Sequence, residues 1–437
     1  MLKRWQWQIS RLLSVMWVRA ALFSLAAVAA ALLALVVKPW VPEDLALTIG
    51  ADAVDKILTI TASSMLAVTT FSLSSVIAAY GSASASATPR ATQLLMRDSS
   101  TQNMLATFIG SFLFSVVGII ALSTGLYGAQ GRVVMFAVTL AMVVLVVYTL
   151  LMWINHLMKF GRLGEVIERL EQATLEALSV RLAHPYLGGQ ALLDEAQIPE
   201  TAKAVVSPIT GYVQFVDIQA LGALSAGEDQ AIYLMAPPGT FIYPGMPLAY
   251  CQGLKPEALE AVLGWFELGK ERSFEQDPRF GVQVLTEVAS RGLSSAVNDL
   301  GTPIGIIGRG VRLFHHYACE RANTLPVEQQ CQRVFVPPIS DDDLFDDFFR
   351  PIARDGAGLL EIHVRLQKAL HTLARIAPER YLIPAQRQAN IALQYAEQAL
   401  ALEQELDILR ELAAPLLSLS APEKACGKVP AVLPHKA

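Results

Sequence analysis

Residues 57–80 read ILTITASSMLAVTTFSLSSVIAAY, an uncharged apolar run punctuated by hydroxyls. As a helix rising ~1.5 Å per residue, a run of this length crosses a ~30 Å hydrocarbon core. Three more stretches share its lack of charge: Ala20–Val37, Met104–Leu126 and Val133–Ile154. Together they predict a four-helix transmembrane domain over residues 1–158. Lys3, Arg4, Arg11 and Arg19 precede the first stretch as they would in a secretory signal. Lys38-Pro39-Trp40 then stands where small residues would mark cleavage, so a retained helix is expected.

The basic residues set the expected topology. The N-terminal flank is basic, the loop after the first stretch carries Glu43, Asp44, Asp52 and Asp55, and Arg90, Arg97, Lys159 and Arg162 follow the second and fourth stretches. The positive-inside rule then places both termini in the cytoplasm. Trp5, Trp7, Trp17, Trp40 and Trp153 fall near the expected interfaces.

Of the chain's 437 residues, 53% are hydrophobic, and the overall net charge of −5 conceals a division near residue 160. The first part holds ten Lys/Arg against five Asp/Glu, and the remainder holds 24 against 34. An acidic remainder argues against nucleic acid as a partner. Cys251, Cys319, Cys331 and Cys426 show no zinc-type pairing and read as reduced thiols.

The second stretch carries Thr59, Ser63, Thr70 and Ser74 at one- and two-turn spacing among other hydroxyls. Small hydroxyl residues serve close helix packing or line an aqueous pore, and both readings stand. Ser111, Ser115 and Gly118 in the third stretch are a packing signal. Gly81-Ser-Ala-Ser-Ala-Ser-Ala-Thr-Pro-Arg90 reads as a flexible loop, or as a re-entrant element at a pore mouth.

Residues 159–200 are expected to form a connecting amphipathic helix and linker, with Leu163, Val166, Ile167, Leu170, Leu175 and Leu178 on one face. Over residues 201–254 the period shortens. Four short strand signals separated by Pro/Gly turns predict a small β-barrel or sandwich. The Gly211-Tyr-Val strand and the Pro244-Gly turn resemble biotinyl- and lipoyl-type carrier folds. No lysine lies between Gly211 and Cys251 to bear such a group, so no cofactor is expected.

Residues 255–420 read as helical, with segments at Phe280–Leu293, Leu359–Ile376 and Ala385–Leu417. Thr302-Pro303 is expected to cap and open a further helix, and residues 421–437 have the composition of a disordered tail. The fold class is therefore an α-helical membrane domain followed by a cytoplasmic α+β region.

No Walker loop, dinucleotide fingerprint, nucleophile elbow or His-Glu-x-x-His helix is present, so an enzyme is not expected. Gly305-Ile-Ile-Gly308-Arg309-Gly310 falls within a helical pattern and reads as a packing face. His315, His316 and Cys319 lack a second ligand cluster, and Asp341, Asp342, Asp343, Asp346 and Asp347 miss the calcium-loop spacing, so no metal site is expected. The spans carry no internal carboxylate or histidine, which argues against an ion-coupled transporter.

Several motifs resemble a family of bacterial predicted membrane proteins, domain of unknown function 2254. They are Thr70-Phe-Ser-Leu-Ser74, Thr88-Pro-Arg90, Phe108-Ile-Gly-Ser-Phe112, Ser207-Pro-x-x-Gly211-Tyr-Val-Gln, Glu271-Arg-Ser-Phe-Glu-Gln-Asp-Pro-Arg-Phe-Gly281 and the Leu293-Ser…Asn298-Asp299 break. The Glu271–Gly281 run is the most specific of them. Two departures stand out: the Ser82–Thr88 segment lacks the usual glutamine, and Leu300 replaces a proline. The resemblance implies the order of membrane spans, β module and helices, and supplies no activity. It singles out Arg272, Asp277, Arg279, Asn298 and Asp299 as polar candidates. The plainer reading is that Asp277 caps a helix and that Asn298 and Asp299 close a turn.

The order of spans and β module is also similar to the layout of small-conductance channels. The expectation is a homo-oligomeric, channel-like pore in the lipid bilayer, lined by Thr59, Ser63, Thr70 and Ser74 and gated by the cytoplasmic domain. The alternative is a non-conducting scaffold or sensor that binds a cytoplasmic partner, an ion or a small ligand.

Overall fold

The structure, a computed structural model, describes residues 51–96, 98–123, 128–323 and 331–420, with a few isolated positions between 18 and 29. Most of the expected first span, together with the four N-terminal tryptophans, Cys426 and the expected tail, lies outside the described residues. The chain divides into two units, Leu2–Glu168 and Arg169–Ala437.

In the first unit, α1 (Ala51–Ser86), α2 (Pro89–Met96), α3 (Ser99–Ser123) and α4 (Gly128–Lys159) follow one another. Three stretches within them, Ala53–Ser86, Ser99–Ser123 and Arg132–Lys159, are long and apolar enough to cross a membrane. At 34 residues the first would be ~51 Å long, well beyond the hydrocarbon thickness. The segment expected to loop out after Tyr80 instead continues α1 as far as Ser86. Its alanines favour the helix, and Ala83 and Ala87 are buried. The helix stops where Pro89 disfavours helical geometry in its predecessor. Thr88 then caps α2, its Oγ1 accepting from the Ala91 amide at 3.2 Å.

Val54, Leu58, Met65, Ser72, Val76 and Ala83 are the buried positions of α1. At ~100° per residue they fall within ~40° of one another, a narrow packed stripe. Ser111, Ser115 and Gly118 lie on the packed face of α3. A Cβ on Gly118 would meet the Met135 side chain at 2.4 Å and Leu58 at 3.0 Å, so glycine allows the three helices to close on one another.

The second unit contains two open sheets and no barrel. The larger has the order β1-β8-β4-β6-β2, with β1 (Gln190–Ala191), β2 (Lys203–Val206), β4 (Ala231–Leu234), β6 (Pro247–Gln252) and β8 (Val334–Val336). The smaller is β5-β3-β7, from β3 (Gly211–Val216), β5 (Phe241–Ile242) and β7 (Phe266–Gly269). Closure fails because β3 pairs only with β5 and β7, leaving β2 as a free edge. Bulges between Val205 and Val206 and between Val213 and Phe215 turn the two ladders apart. Both sheets nevertheless share one core, which includes Val213, Val216, Ile232, Leu234, Ile242, Leu248 and Phe266. β8, far along the chain, completes it by pairing parallel to both β1 and β4.

The chain leaves the first unit through α5 (Leu163–Ala183), and α6 (Ile218–Leu224) and α7 (Pro256–Leu263) pack on the sheets before α8 (Pro278–Leu293). They are followed by α9 (Gly301–Asn323), α10 (Asp341–Asp355), α11 (Leu360–Ile376), α12 (Pro378–Ala399) and α13 (Glu403–Leu417). The expected Ala385–Leu417 helix is thus two helices. Phe314, Phe345, Phe348, Phe349 and Tyr381 stack where α9, α10 and α12 meet. Burial of each such ring contributes ~1.5–3 kcal/mol. Gly310 admits the Phe348 ring, which would lie 2.2 Å from a Cβ there, whereas Gly305 and Gly308 face open space. Only one glycine of that run therefore serves packing.

Candidate functional site

The loop after β4, the segments leading into α8 and α10, and the last turn of α5 converge on a cavity of about 280 Å3. This is near the lower end of the range for small-molecule sites, about 300 Å3. Its walls carry Arg181, Arg272, Asp277 and Arg279, with Pro237, Pro238, Pro278, Pro337 and Pro338 framing them. Proline fixes the local backbone and offers no N–H, so polar recognition falls to side chains.

Asp277 does two things. Its Oδ1 accepts from the Phe280 amide at 3.2 Å, capping α8, while its Oδ2 lies 2.7 Å from Nη2 of Arg272. Burial pushes the carboxyl above the ordinary aspartate range, and Arg272 pulls it back. Arg272 is held over the Phe280 ring, 5.0 Å from its centroid, and bonds Gln283. Gly239, at φ +95°, faces Asp277 so closely that only a hydrogen fits between them.

Arg279 bonds Asp343 and Asp347 on α10, each at 2.7 Å. The rest of the acidic cluster is likewise tied to arginines: Asp341 pairs with Arg380, and Asp346 with Arg387 and Arg350. Ser340 caps α10, its Oγ accepting from the Asp343 amide at 3.3 Å. The positive ends of α8 and α10 therefore both face the cavity.

Arg181 is the residue that sequence reading missed. It is only 3% exposed, and among the described residues no atom accepts from its Nε or Nη1. Burial pushes it down to about 10, against the pull of Tyr317 and Asp277. Its signal was its position: it continues the buried Leu170, Thr174 and Leu178 stripe of α5 at helical spacing, where a cation is out of place.

Of the polar residues singled out from the sequence, Arg272, Asp277 and Arg279 come together here, and Asn298 and Asp299 do not. Those two lie beyond the other end of α8, a 16-residue helix ~24 Å long. Asn298 takes a left-handed conformation, φ +50°, and Asp299 caps α9. Asp299 accepts from the Gly301 and Thr302 amides at 2.9 and 3.1 Å and from the Thr302 hydroxyl at 2.5 Å. The Thr302 hydroxyl, more than any other group, holds its carboxyl below the usual range. Asp299, not Thr302, is the cap.

In the first unit, Thr59, Ser63, Thr70 and Ser74 are all exposed, within ~60° of one another and roughly opposite the packed stripe of α1. Ser63, Thr70 and Ser74 donate to the carbonyls of Thr59, Leu66 and Thr70, each at 3.0 Å. At the ends of α3 and α4, Oδ2 of Asp98 lies 3.1 Å from Nε2 of His156 and accepts from the amide and hydroxyl of Thr101. Among the described residues no three His, Cys, Asp or Glu side chains are placed to hold a metal ion.

The family model for "Predicted membrane protein (DUF2254)" matches residues 14–372. The chain is 26% identical over 227 residues to the uncharacterized proteins Mb1321c of Mycobacterium bovis and Rv1290c of Mycobacterium tuberculosis. Each match covers 50% of this chain but 43% of the relative, so the chain accounts for less than half the length of these relatives. No solved structure matches it. The match over residues 14–372, together with the three apolar helices, places the chain in the DUF2254 family of predicted membrane proteins.

Proposed function

We propose that this membrane protein is a membrane-anchored sensor whose α+β unit, on the cytoplasmic side of a bacterial inner membrane, binds a small ligand without transforming it. The observation that carries this reading is the proline-walled cavity on which Arg181, Arg272, Asp277 and Arg279 converge. Its lining carboxylates are engaged as helix cap or ion-pair partner, leaving no free base beside a nucleophile. The basic N-terminal flank and Arg90, Arg97, Lys159 and Arg162 support the cytoplasmic placement.

The test is a thermal-denaturation screen of the purified full chain against small anions, cations and neutral metabolites, with Thr240→Trp as a cavity-filling control. Occupancy at a hundred times Kd stabilises by ~2.7 kcal/mol, which raises Tm by several degrees. At least one compound should do this for the native chain and not for the filled one. A panel without effect would end the sensor reading.

A second reading is a homo-oligomeric pore, supported by the hydroxyl stripe on the outer face of α1. A hydroxyl that donates to its own helix keeps lone pairs for water or ions. Planar-bilayer recording decides it: discrete openings lost in a Thr70→Leu/Ser74→Leu double variant support the pore, and silence from a well-folded oligomer removes it.

A further inference from the structure

We propose that the cavity is a phosphoryl site, taking inorganic phosphate or the phosphate group of a small ligand against Arg181; this rests on the ligand-binding reading above. The charges around the cavity are unequal. Arg272 is neutralised by Asp277, and Arg279 by Asp343 and Asp347, whereas among the described residues no carboxylate lies within ion-pair distance of Arg181, which Asp277 reaches only through space.

A guanidinium this deeply buried loses its hydration and regains nothing from the protein at Nε and Nη1. A cationic ligand would add repulsion, and a neutral one would leave the charge uncompensated. An anion in the cavity offsets the Arg181 charge through space, Nε and Nη1 themselves being sealed from it. Phosphate is favoured over carboxylate because guanidinium donors border the cavity from several directions, Arg181 from α5, Arg272 ahead of α8 and Arg279 in its first turn. A tetrahedral group presents oxygens to all of them.

The surroundings are prepared for such a ligand. Gln276 is bound to both backbone groups of Val216, and Gln283 to Arg272, so neither is free to turn onto Arg181. The five prolines and the Gly239–Asp277 contact hold the walls rigid, which lowers the ordering cost of binding. On its other side Arg181 borders a second space of about 30 Å3 beside Tyr317. That space has room for water, the competing partner for this cation.

The test uses the full chain in detergent or nanodiscs, with inorganic phosphate and acetate titrated at constant ionic strength by calorimetry and thermal denaturation. Native protein should bind phosphate saturably and gain Tm, and Arg181→Gln should weaken binding at least tenfold. Arg181→Met should raise the ligand-free Tm while abolishing the phosphate response, the opposite of what loss of a structural arginine does. Equal phosphate affinity in native and Arg181→Gln protein overturns the proposal, as does acetate binding as tightly as phosphate. No phosphate response, with a lower Tm for Arg181→Met, assigns Arg181 to structure and water and also overturns it. If a phosphate-free compound stabilises the native chain but not Thr240→Trp, while phosphate has no effect, the sensor reading stands and the phosphoryl site falls. A phosphate response that survives in Thr240→Trp puts the anion outside the cavity and removes both.

Discussion

Gly239 packs against Asp277 so tightly that a Cβ at position 239 would lie 2.2 Å from Oδ2, the carboxylate oxygen that Arg272 holds. With φ at +95°, the glycine backbone is also in a region that L side chains rarely adopt. Gly239→Ala is therefore expected to cost more than ~1 kcal/mol and to separate Asp277 from Arg272. Asp277→Ala removes both the helix cap and the partner of a mostly buried arginine, at ~3–5 kcal/mol. Chemical denaturation of the two variants checks the order, and a native-like Gly239→Ala would show that the contact is not needed.

His363, in α11, is fully buried, and burial pushes it down to about 4, partly offset by the backbone at Gly356 and Ala357. The unfolded chain takes up this proton near 6.5, so the contribution of a neutral His363 is complete above that pH. It is lost as pH falls from 6.5 through 4, amounting to at most ~3 kcal/mol. Tm of the native chain should drop between pH 7 and pH 4.5, with a shallower drop in His363→Leu. Parallel curves for the two proteins would count against a titrating His363.

Gly305, Gly308 and Gly310 of α9 should separate cleanly. Gly310→Ala drives a methyl group into the Phe348 ring, an overpacking expected to cost ~1–3 kcal/mol. Gly305→Ala and Gly308→Ala meet nothing within 4 Å and gain up to ~1 kcal/mol of helix propensity. Thermal midpoints should fall for the first and rise for the other two.

In the membrane unit, Asp98 caps α3 and reaches His156 at the end of α4. Asp98→Ala should cost ~1 kcal/mol from the cap alone. A double-mutant cycle with His156→Ala should give a coupling of ~0.5–3 kcal/mol, measured by unfolding in detergent. Additive effects would mean that the 3.1 Å approach carries no energy.

Features that depend on local order could be read from the residues alone. An uncharged apolar run dictates a membrane helix because unpaired backbone groups are costly in lipid, and α1, α3 and α4 were legible for that reason. The Asp277-Pro278 cap was readable too, since cap and helix are neighbours in the chain. The helical path of residues 81–86 was obscured by Gly and Ser, whose composition suits a loop as well. Tertiary structure alone decided the rest. Short strands of two to six residues do not state their partners, so in place of the small barrel or sandwich expected from residues 201–254 there are two open sheets, the larger completed by β8. The cavity likewise joins Arg181, Gly239, Asp277 and Ser340, separated by tens of residues. The helical stripe of Leu170, Thr174 and Leu178 marks Arg181 for burial, but nothing along the chain says which groups will surround its charge; only packing removes the water and exposes that cost.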